Sequence, residues 1–562
     1  MVEIQPQSHS ADSHDSPVGG LVIDAVHDEL PAQVPGQFAG GFDSTPVPHA
    51  PPGYTLKFTF HRGINLPLAD FGTFSSDPYV AAQLVVDLPQ RHKQDPKVTY
   101  RTPTVHRDTN PTWDSEWVVA NVPASGFELK CRLYDEDSAD HDDKLGNAYF
   151  GVPSIGDDWP GIKEQSVKVK RRMAGKRVYL MKNIAAFTSR RQNASSYLVV
   201  SVDNLGRTPG TEGGQVYTVG PNYWFKHFSP LIGRLAGTKD EALSSPGEKG
   251  VARYNFQAVQ IQLQGPVPSP LYHRYVEFRP FVTGMFTSQS LKGWILNRAL
   301  HHQHVRVYNF DRTTLHGEFA SPCVELTQKF LEFAHYGQGG RIFTYVLTLD
   351  GHFRFTETGK EFGIDLLSKH TMHSDVSIYI AYSGEFFVGR RWHHHHHRHH
   401  GAQSSESDNY RSSVDIPTDV STNPAYYELF IDNDSGTYRP NPQYLHLLRG
   451  FMSANFPGLL VSTLDCVADA EQMKEMKDER REFKNKEGLH MTFLQQSSSS
   501  LSISSSEEEE LDERSGLSQK QRGEFSRKAR DMRDVKGQVM KWAQTEGHAD
   551  SRGRQSNPNG LA

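Results

Sequence analysis

Two acidic clusters bracket an apolar, strand-patterned segment in the first third of the chain, and they constrain the fold more than any other feature. The first runs Asp70-Phe-Gly-Thr-Phe-Ser-Ser-Asp77-Pro78, the second Asp135-Glu-Asp137-Ser-Ala-Asp140-His-Asp142-Asp143. A fold that unites them gathers several carboxylates in one mouth. At roughly 4 Å, each like-charge pair repels by about 4 kcal/mol at an effective dielectric of ~20. A hard divalent cation ligated by oxygens removes that cost, and Ca2+ takes roughly 6–8 such ligands, many of them carboxylates. Carboxylates two positions apart on an extended loop aim at one focus, where a helix would splay them.

The segments around these clusters read as strands. Tyr54-Thr-Leu-Lys-Phe-Thr-Phe60 and Phe127-Glu-Leu-Lys-Cys-Arg-Leu-Tyr134 alternate apolar and polar residues. Tyr79–Val86, Thr112–Val119 and Tyr197–Val202 complete the set, with turn residues between them. Short strands separated by turns predict an antiparallel sandwich over 53–207. Residues 1–52, rich in Pro, Gly, Ser, His and Asp without a sustained period, read as a disordered arm. Residues 208–250 are Gly/Pro-rich and read as a linker or partly ordered loop. Strands and helices mix over 251–392, the first part of an α+β domain, and resume over 425–490, its second part. Here Asp350-Gly351 signals a hairpin, and Leu326, Phe330 and Phe333 form a helical stripe. Asn441-Pro442 suits an N-cap and first helical residue. A charged, exposed helix is expected from Ala468 to about Lys486. A His-rich break occupies 393–424, and a low-complexity tail 491–562 carries Ser497–Ser506 and Glu507–Glu510. The expected fold class is multidomain: an all-β antiparallel sandwich, then an α+β domain, with disordered tails at both ends.

Composition excludes several functions. A net charge of -6 offers no global field for nucleic acid, so electrostatic arguments must be local. The three cysteines, Cys131, Cys323 and Cys466, are far apart and form no CxxC pair. That argues against a zinc ribbon or disulfide scaffold and suits a reducing compartment. No apolar run reaches the ~18 residues of a bilayer span, and the first residues lack the pattern of a secretory signal. Any membrane contact is therefore expected to be peripheral, and the location cytoplasmic.

The segment 54–207 resembles a C2 domain, the calcium- and lipid-binding sandwich. The resemblance is carried by three motifs in order: Leu66-Pro-Leu-Ala-Asp70 leading to Ser76-Asp77-Pro78-Tyr79-Val80; Asp108-Thr-Asn-Pro-Thr-Trp113-Asp-Ser-Glu116-Trp117; and Leu133-Tyr-Asp135-Glu-Asp137 followed by Asp143-Lys-Leu-Gly146. It implies that Asp70 and Asp77 ligate Ca2+ from one loop, and Asp135, Asp137 and Asp143 from another. Asp140 would complete an outer position. The first loop is one residue longer than the commonest form, and the second carries the extra acids Glu136 and Asp142. Neutralising these carboxylates turns a surface that repels anionic phospholipid into one that attracts it. Phe71 and Phe74 would insert into the interface. Lys168, Lys170, Arg171, Arg172, Lys176 and Arg177, with Lys182, would add about 1 kcal/mol each near an anionic leaflet. The whole chain is also similar to large fungal C2-domain proteins of unassigned activity, through Asp432-Asn-Asp-Ser-Gly-Thr-Tyr-Arg-Pro-Asn441 and the stretch from Lys369 to Phe387.

The expected function is a peripheral protein, reversibly membrane-associated, whose C2 domain binds Ca2+ and anionic phospholipid. It carries an α+β module of unknown role. No catalytic residue is assigned. Two alternatives stand beside it: a lipid-directed or hydrolytic enzyme using His370, His373 and Asp375, and a calcium-independent scaffold binding protein partners. His393–His397, with His399 and His400, reads as a flexible loop ahead of a metal site. Asp432-Asn-Asp434-Ser-Gly436 opens like an EF-hand loop, but Gln443 stands where the bidentate Glu belongs, so a turn is expected.

Overall fold

The computed structural model describes residues 45–69, 75–92, 95–136, 142–170, 195–210, 213–228, 257–274, 314–357, 379–391, 422–434 and 440–486, with short pieces at 239–240, 253–254, 307–308, 310 and 373. The expectations for the arm to residue 44, the His-rich run, the tail beyond 486, His370 and Asp375 lie outside these residues.

One five-stranded and one four-stranded sheet build the first module. The five-stranded sheet follows the order β7 (Ile162–Lys168), β8 (Tyr197–Arg207), β1 (Tyr54–Ile64), β4 (Thr112–Val122), β9 (Tyr217–Gly220). The four-stranded sheet follows β3 (Thr99–Arg101), β2 (Pro78–Val86), β5 (Phe127–Asp135), β6 (Asp143–Val152). All pairings are antiparallel. The period-2 apolar residues face inward as their alternation requires. Leu56, Phe58 and Phe60 of β1 and Trp117 and Val119 of β4 are fully buried. Phe58 packs edge-on against Phe127 at 5.2 Å, closing the two sheets face to face. Each such side chain contributes about 1.5–3 kcal/mol of burial.

The second module is an eight-stranded sheet. Its order is β12 (Leu315–Phe319), β10 (Asn222–His227), β11 (Ala258–Gln262), β14 (His352–Glu357), β13 (Phe343–Leu347), β15 (Tyr382–Arg390), β16 (Tyr427–Asp432), β17 (Leu460–Leu464). Only the β16–β17 pair is parallel among these strands. Thr348–Gly351 makes the expected hairpin between β13 and β14, with Gly351 N–H donating to the Thr348 carbonyl at 3.1 Å. One face carries α1 (Val324–Phe333) and α2 (Leu445–Asn455). The Cys323 thiol caps α1 by accepting from Leu326 N–H. Phe330 then stacks on Phe456 at 4.5 Å over Phe353, Phe355 and Phe386. Asn441 caps the turn before α2 by accepting from Gln443 N–H. On the other face lies α3 (Ala470–Lys486), over Phe387 and Phe430.

Three expectations are corrected. The region 208–250 is not simply a linker: its first half supplies β9 to the sandwich and β10 to the second sheet. The alternation at 304–310 does not make a strand where it is described, since Val307 and Tyr308 form a turn and bend. The charged helix is not wholly exposed, because Met473, Met476, Lys477 and Lys484 are buried.

Candidate metal centre

Strand direction decides which residues meet. β1 and β5 run toward one end of the sandwich, and β2, β4 and β6 leave it. Pro78 is paired with Asp135, and Asp135 with Asp143. Asp77, Asp135 and Asp143 therefore stand at one end, on adjacent strands about 5 Å apart. Asp135 is 1 % exposed, and its Oδ1 accepts the backbone N–H of Asp77. Glu136 N–H donates back to the Asp77 carbonyl at 2.9 Å. The Asp77 carboxylate is fixed by Arg107 N–H at 2.7 Å, and its other oxygen faces His106 Nδ1 at 3.2 Å. The approach to Asp77 is fixed by Ser76, whose hydroxyl donates to the Pro67 carbonyl at 2.6 Å and accepts from Ala69 N–H at 3.2 Å.

The two extra acids play other parts. Glu136 turns aside to Arg101, 2.8 Å away, in a pair shielded from solvent on both sides. The Arg101 guanidinium lies over the Tyr79 ring at 3.7 Å and the Phe310 ring at 3.4 Å. Asp142 accepts from the Tyr79 hydroxyl at 2.6 Å. Burial, and after it the Asp142 charge, push the Tyr79 phenol well above its ordinary range. So Glu136 and Asp142 anchor the walls of the site. Sequence reasoning gave no role at the site to Arg101, Tyr79 or His106; only the pairing of β2 with β3 and β5 brings them there.

Of the other expected residues, Lys168 ends β7 opposite Tyr197, which also pairs with Ile64 at the end of β1. Lys168 and Lys170 are thus exposed at the same end as the acids. Asp70, Phe71, Phe74, Asp137, Asp140, Arg171, Arg172, Lys176 and Arg177 lie outside the described residues. Among the described residues no group of three or more His, Cys, Asp or Glu side chains is disposed around a common metal position. The donors that are present, carboxylate oxygens of Asp77, Asp135 and Asp143 on a rigid strand frame, are of the hard class that suits Ca2+.

Two further polar groups singled out in the sequence are buried. His373 is fully buried, its ring nitrogens against the hydroxyls of Tyr308 and Thr356. Asp432 does not begin a calcium loop. Its Oδ1 accepts from Glu385 N–H and Asp434 N–H, each at 2.8 Å, and its Oδ2 lies 2.8 Å from Lys477 Nζ.

Comparison with known proteins agrees with this frame. The family model of the C2 domain matches residues 54–167. The plant proteins C2-DOMAIN ABA-RELATED 5 and 4 of Arabidopsis thaliana are 29% and 30% identical over 97 residues, 17% of this chain and 42% and 47% of theirs. The chain thus spans less than half the length of these relatives. Multiple C2 and transmembrane domain-containing protein 1 of Mus musculus is 29% identical over 116 residues, 20% of this chain and 11% of that protein. Among solved structures, a C2 domain of plant Extended Synaptotagmin 1 aligns at 16% identity and a TM-score of 0.20, covering 28% of this chain and 98% of that one. Residues 54–167 are a C2 domain. No described helix is long and apolar enough to cross a membrane.

Proposed function

We propose that the acidic end of the C2 domain binds Ca2+ and that the protein, so loaded, docks reversibly on anionic phospholipid. The observation that carries this reading is the backbone-held pair Asp77 and Asp135, with Asp143 on the adjoining strand. Carboxylates held this way need little reordering to take a hard cation, so most of the electrostatic gain appears as binding. Asp70, Asp137 and Asp140 join the ligand set through the C2 resemblance. Cation uptake lowers the negative field at the end where Lys168 and Lys170 also stand. Each of these adds about 1 kcal/mol against an anionic leaflet. Phe71 and Phe74, in the first loop, supply apolar insertion. The α+β module is then cargo or effector brought to the membrane.

The test uses the full chain with phosphatidylserine-containing and phosphatidylcholine-only vesicles, sedimented in Ca2+ and in chelator. Binding is expected only with Ca2+ and phosphatidylserine. Asp77→Asn with Asp135→Asn keeps the amide-accepting oxygens but removes two charges, and should abolish the calcium response. Lys168→Glu with Lys170→Glu should weaken binding without moving the calcium midpoint in solution. An unchanged calcium response in the double Asn variant overturns the reading, and calcium-independent capture of protein partners would favour the scaffold alternative.

A further inference from the structure

Three strand pairings of the sandwich lose register at one place on the five-stranded sheet. In β4, Trp113 and Asp114 together stand opposite a single residue of β1, His61, between the pairs Arg62–Thr112 and Phe60–Ser115. Against β8, His61 is itself the extra residue, since Phe60 pairs with Val200 and Arg62 with Val199. In β7, Lys163 and Glu164 stand opposite Ser201 alone, between the pairs Ile162–Val202 and Gln165–Val200. Asp114 and Glu164 take left-handed backbone, with φ of 46° and 41°. Such a conformation costs a residue other than glycine about 1–3 kcal/mol. Bulges re-aim side chains and are frequent beside active sites.

What these bulges aim is a chain of three side chains. Val200 and Val202 are buried in the sandwich core, so Ser201 between them faces the outer side of the sheet by alternation. His61 Nε2 lies 2.8 Å from Ser201 Oγ, and His61 Nδ1 lies 2.9 Å from Asp114 Oδ1. Glu164 N–H, on the β7 bulge, donates to Ser201 Oγ at 2.9 Å. These contacts fix the protons. An ionised carboxylate only accepts, so Nδ1 carries its hydrogen toward Asp114, and Nε2 of the neutral ring accepts from the Ser201 hydroxyl. That is the tautomer in which an imidazole, oriented by a third group, acts as base toward a hydroxyl nucleophile. The His61 and Asp114 side chains are 22 % and 65 % exposed, so the relay opens to solvent on one side. Ser201 is 5 % exposed, which admits only a small group to its oxygen.

We infer that Ser201, His61 and Asp114 form a hydrolytic site for small carboxylic esters such as acetyl esters. The bond from Ser201 Oγ to the carbonyl carbon forms while His61 Nε2 takes the hydroxyl proton. The ester C–O bond then breaks, and that proton passes to the leaving alkoxide. Water repeats the attack with the same base: its oxygen bonds the acyl carbon, its proton returns through Nε2 to Oγ, and the carboxylic acid leaves. Glu164 N–H is the backbone donor beside the reacting oxygen, and one donor suits an ester better than the more demanding amide. Asp114 is a positioning residue that holds the ring and its tautomer. The site goes beyond the calcium reading and needs no Ca2+.

The experiment uses the full chain in chelator with two probes, p-nitrophenyl acetate and diisopropyl fluorophosphate. The second reports the nucleophile directly, since the Oγ–P bond forms as P–F breaks and His61 takes the proton. One diisopropylphosphoryl group per chain is expected, mapped by peptide mass to Ser201. Hydrolysis of p-nitrophenyl acetate should fall in Ser201→Ala to the background given by the other histidines. In His61→Gln the rate above that background should fall about 100-fold. Asp114→Asn should lower kcat at unchanged KM, and Asp114→Glu should recover part of the loss, a split that a merely structural role would not give. Each variant should unfold within a few degrees of wild type; if Ser201→Ala does not fold, His61→Gln and the phosphoryl label decide. No label on Ser201, a label acquired as fast in His61→Gln as in wild type, or hydrolysis unchanged by Ser201→Ala overturns the proposal and leaves the three side chains as a polar tie between strands.

Discussion

Removing the Lys477 ammonium tests whether α3 is held by charge rather than by apolar burial. Lys477 Nζ lies 2.8 Å from both Asp432 Oδ2 and Glu385 Oε2, and its side chain is 6 % exposed. The apolar footing of α3 is small, chiefly Met473 and Met476 against Phe387 and Phe430. Burial pushes the Asp432 carboxyl up to about 6, against the pull of Lys477 and with the push of Glu385. Burial works against the Lys477 ammonium too, but the two carboxylates outweigh it and hold its pKa above the ordinary range. One cation thus serves two carboxylates, and the surplus negative charge is already costly. Lys477→Met leaves both acids buried and unpaired, a change that costs about 3–5 kcal/mol. The sign with pH follows from linkage. A carboxyl raised from 3.8 to about 6 binds more protons folded than unfolded in that window. Its contribution is therefore full below 3.8 and lost as pH rises through about 6. Without Lys477 the shift grows, so the variant should be least stable at pH 7.5 and recover much of its deficit by pH 5. Urea unfolding followed by circular dichroism at the two pH values measures both. Lys477→Met with Asp432→Asn should regain part of the loss at pH 7.5, because Asn keeps an oxygen for Glu385 N–H and Asp434 N–H. A deficit under about 1 kcal/mol, or one that is the same at both pH values, refutes charge as the latch.

Gly384→Ala places a Cβ 2.0 Å from the Asp432 carbonyl oxygen, so the β15–β16 pair must shift; loss of several degrees in Tm is expected in a thermal scan. Arg101→Leu strips Glu136 of its shielded partner and should cost about 3–5 kcal/mol in urea. Asp350 is pushed up by burial but held well below the carboxylate range by His352, Thr348 and Arg354 together. It contributes stability above its unfolded pKa that is lost on acidification, so Asp350→Asn should flatten the acid limb of the stability profile.

What could be read from the sequence follows physical lines. Strands with one buried face announced themselves, as in Tyr54–Phe60, where Tyr54, Leu56 and Phe58 point inward and Thr55 and Lys57 do not. Local signals such as Asn441-Pro442 and Asp350-Gly351 act over two or three residues and were equally legible. β10 was not, because Tyr223, Trp224 and Phe225 are all buried and show no alternation. β15 was not legible either, since Ser383-Gly384 interrupts its pattern; glycine is there for the close approach of Asp432. Lys477 looked like a solvated position because its partners, Glu385 and Asp432, are many residues away. In the candidate site Asp77, Asp135 and Asp143 were visible as acids at strand ends. The diversion of Glu136 to Arg101 was not, since it depends on which strand lies beside β2.

The C2 domain does not end where its family match ends. Beyond residue 167 the chain adds β8 to the sandwich, and then β9, which pairs with Val118–Ala120 of β4. The Trp117 indole N–H donates to the Thr218 hydroxyl at 3.2 Å, and Tyr223 meets Tyr100 edge-on at 5.7 Å. Tyr223 and Phe225 belong to the sandwich core although their strand belongs to the second sheet. A fragment of residues 45–207 therefore leaves a buried indole N–H without its acceptor, at about 1–3 kcal/mol, and exposes the Tyr100 and Trp117 faces as well. For a small domain each kcal/mol lowers Tm by about 4–8 °C. Extending the fragment to residue 228 should raise Tm by about 10 °C or more, read by near-ultraviolet circular dichroism of the buried tryptophan. Equal Tm values for the two fragments would mean that β9 and β10 merely rest on the sandwich. The expected difference means that the acidic end and the second module share one core, so that a fragment cut at residue 207 is not a complete folding unit.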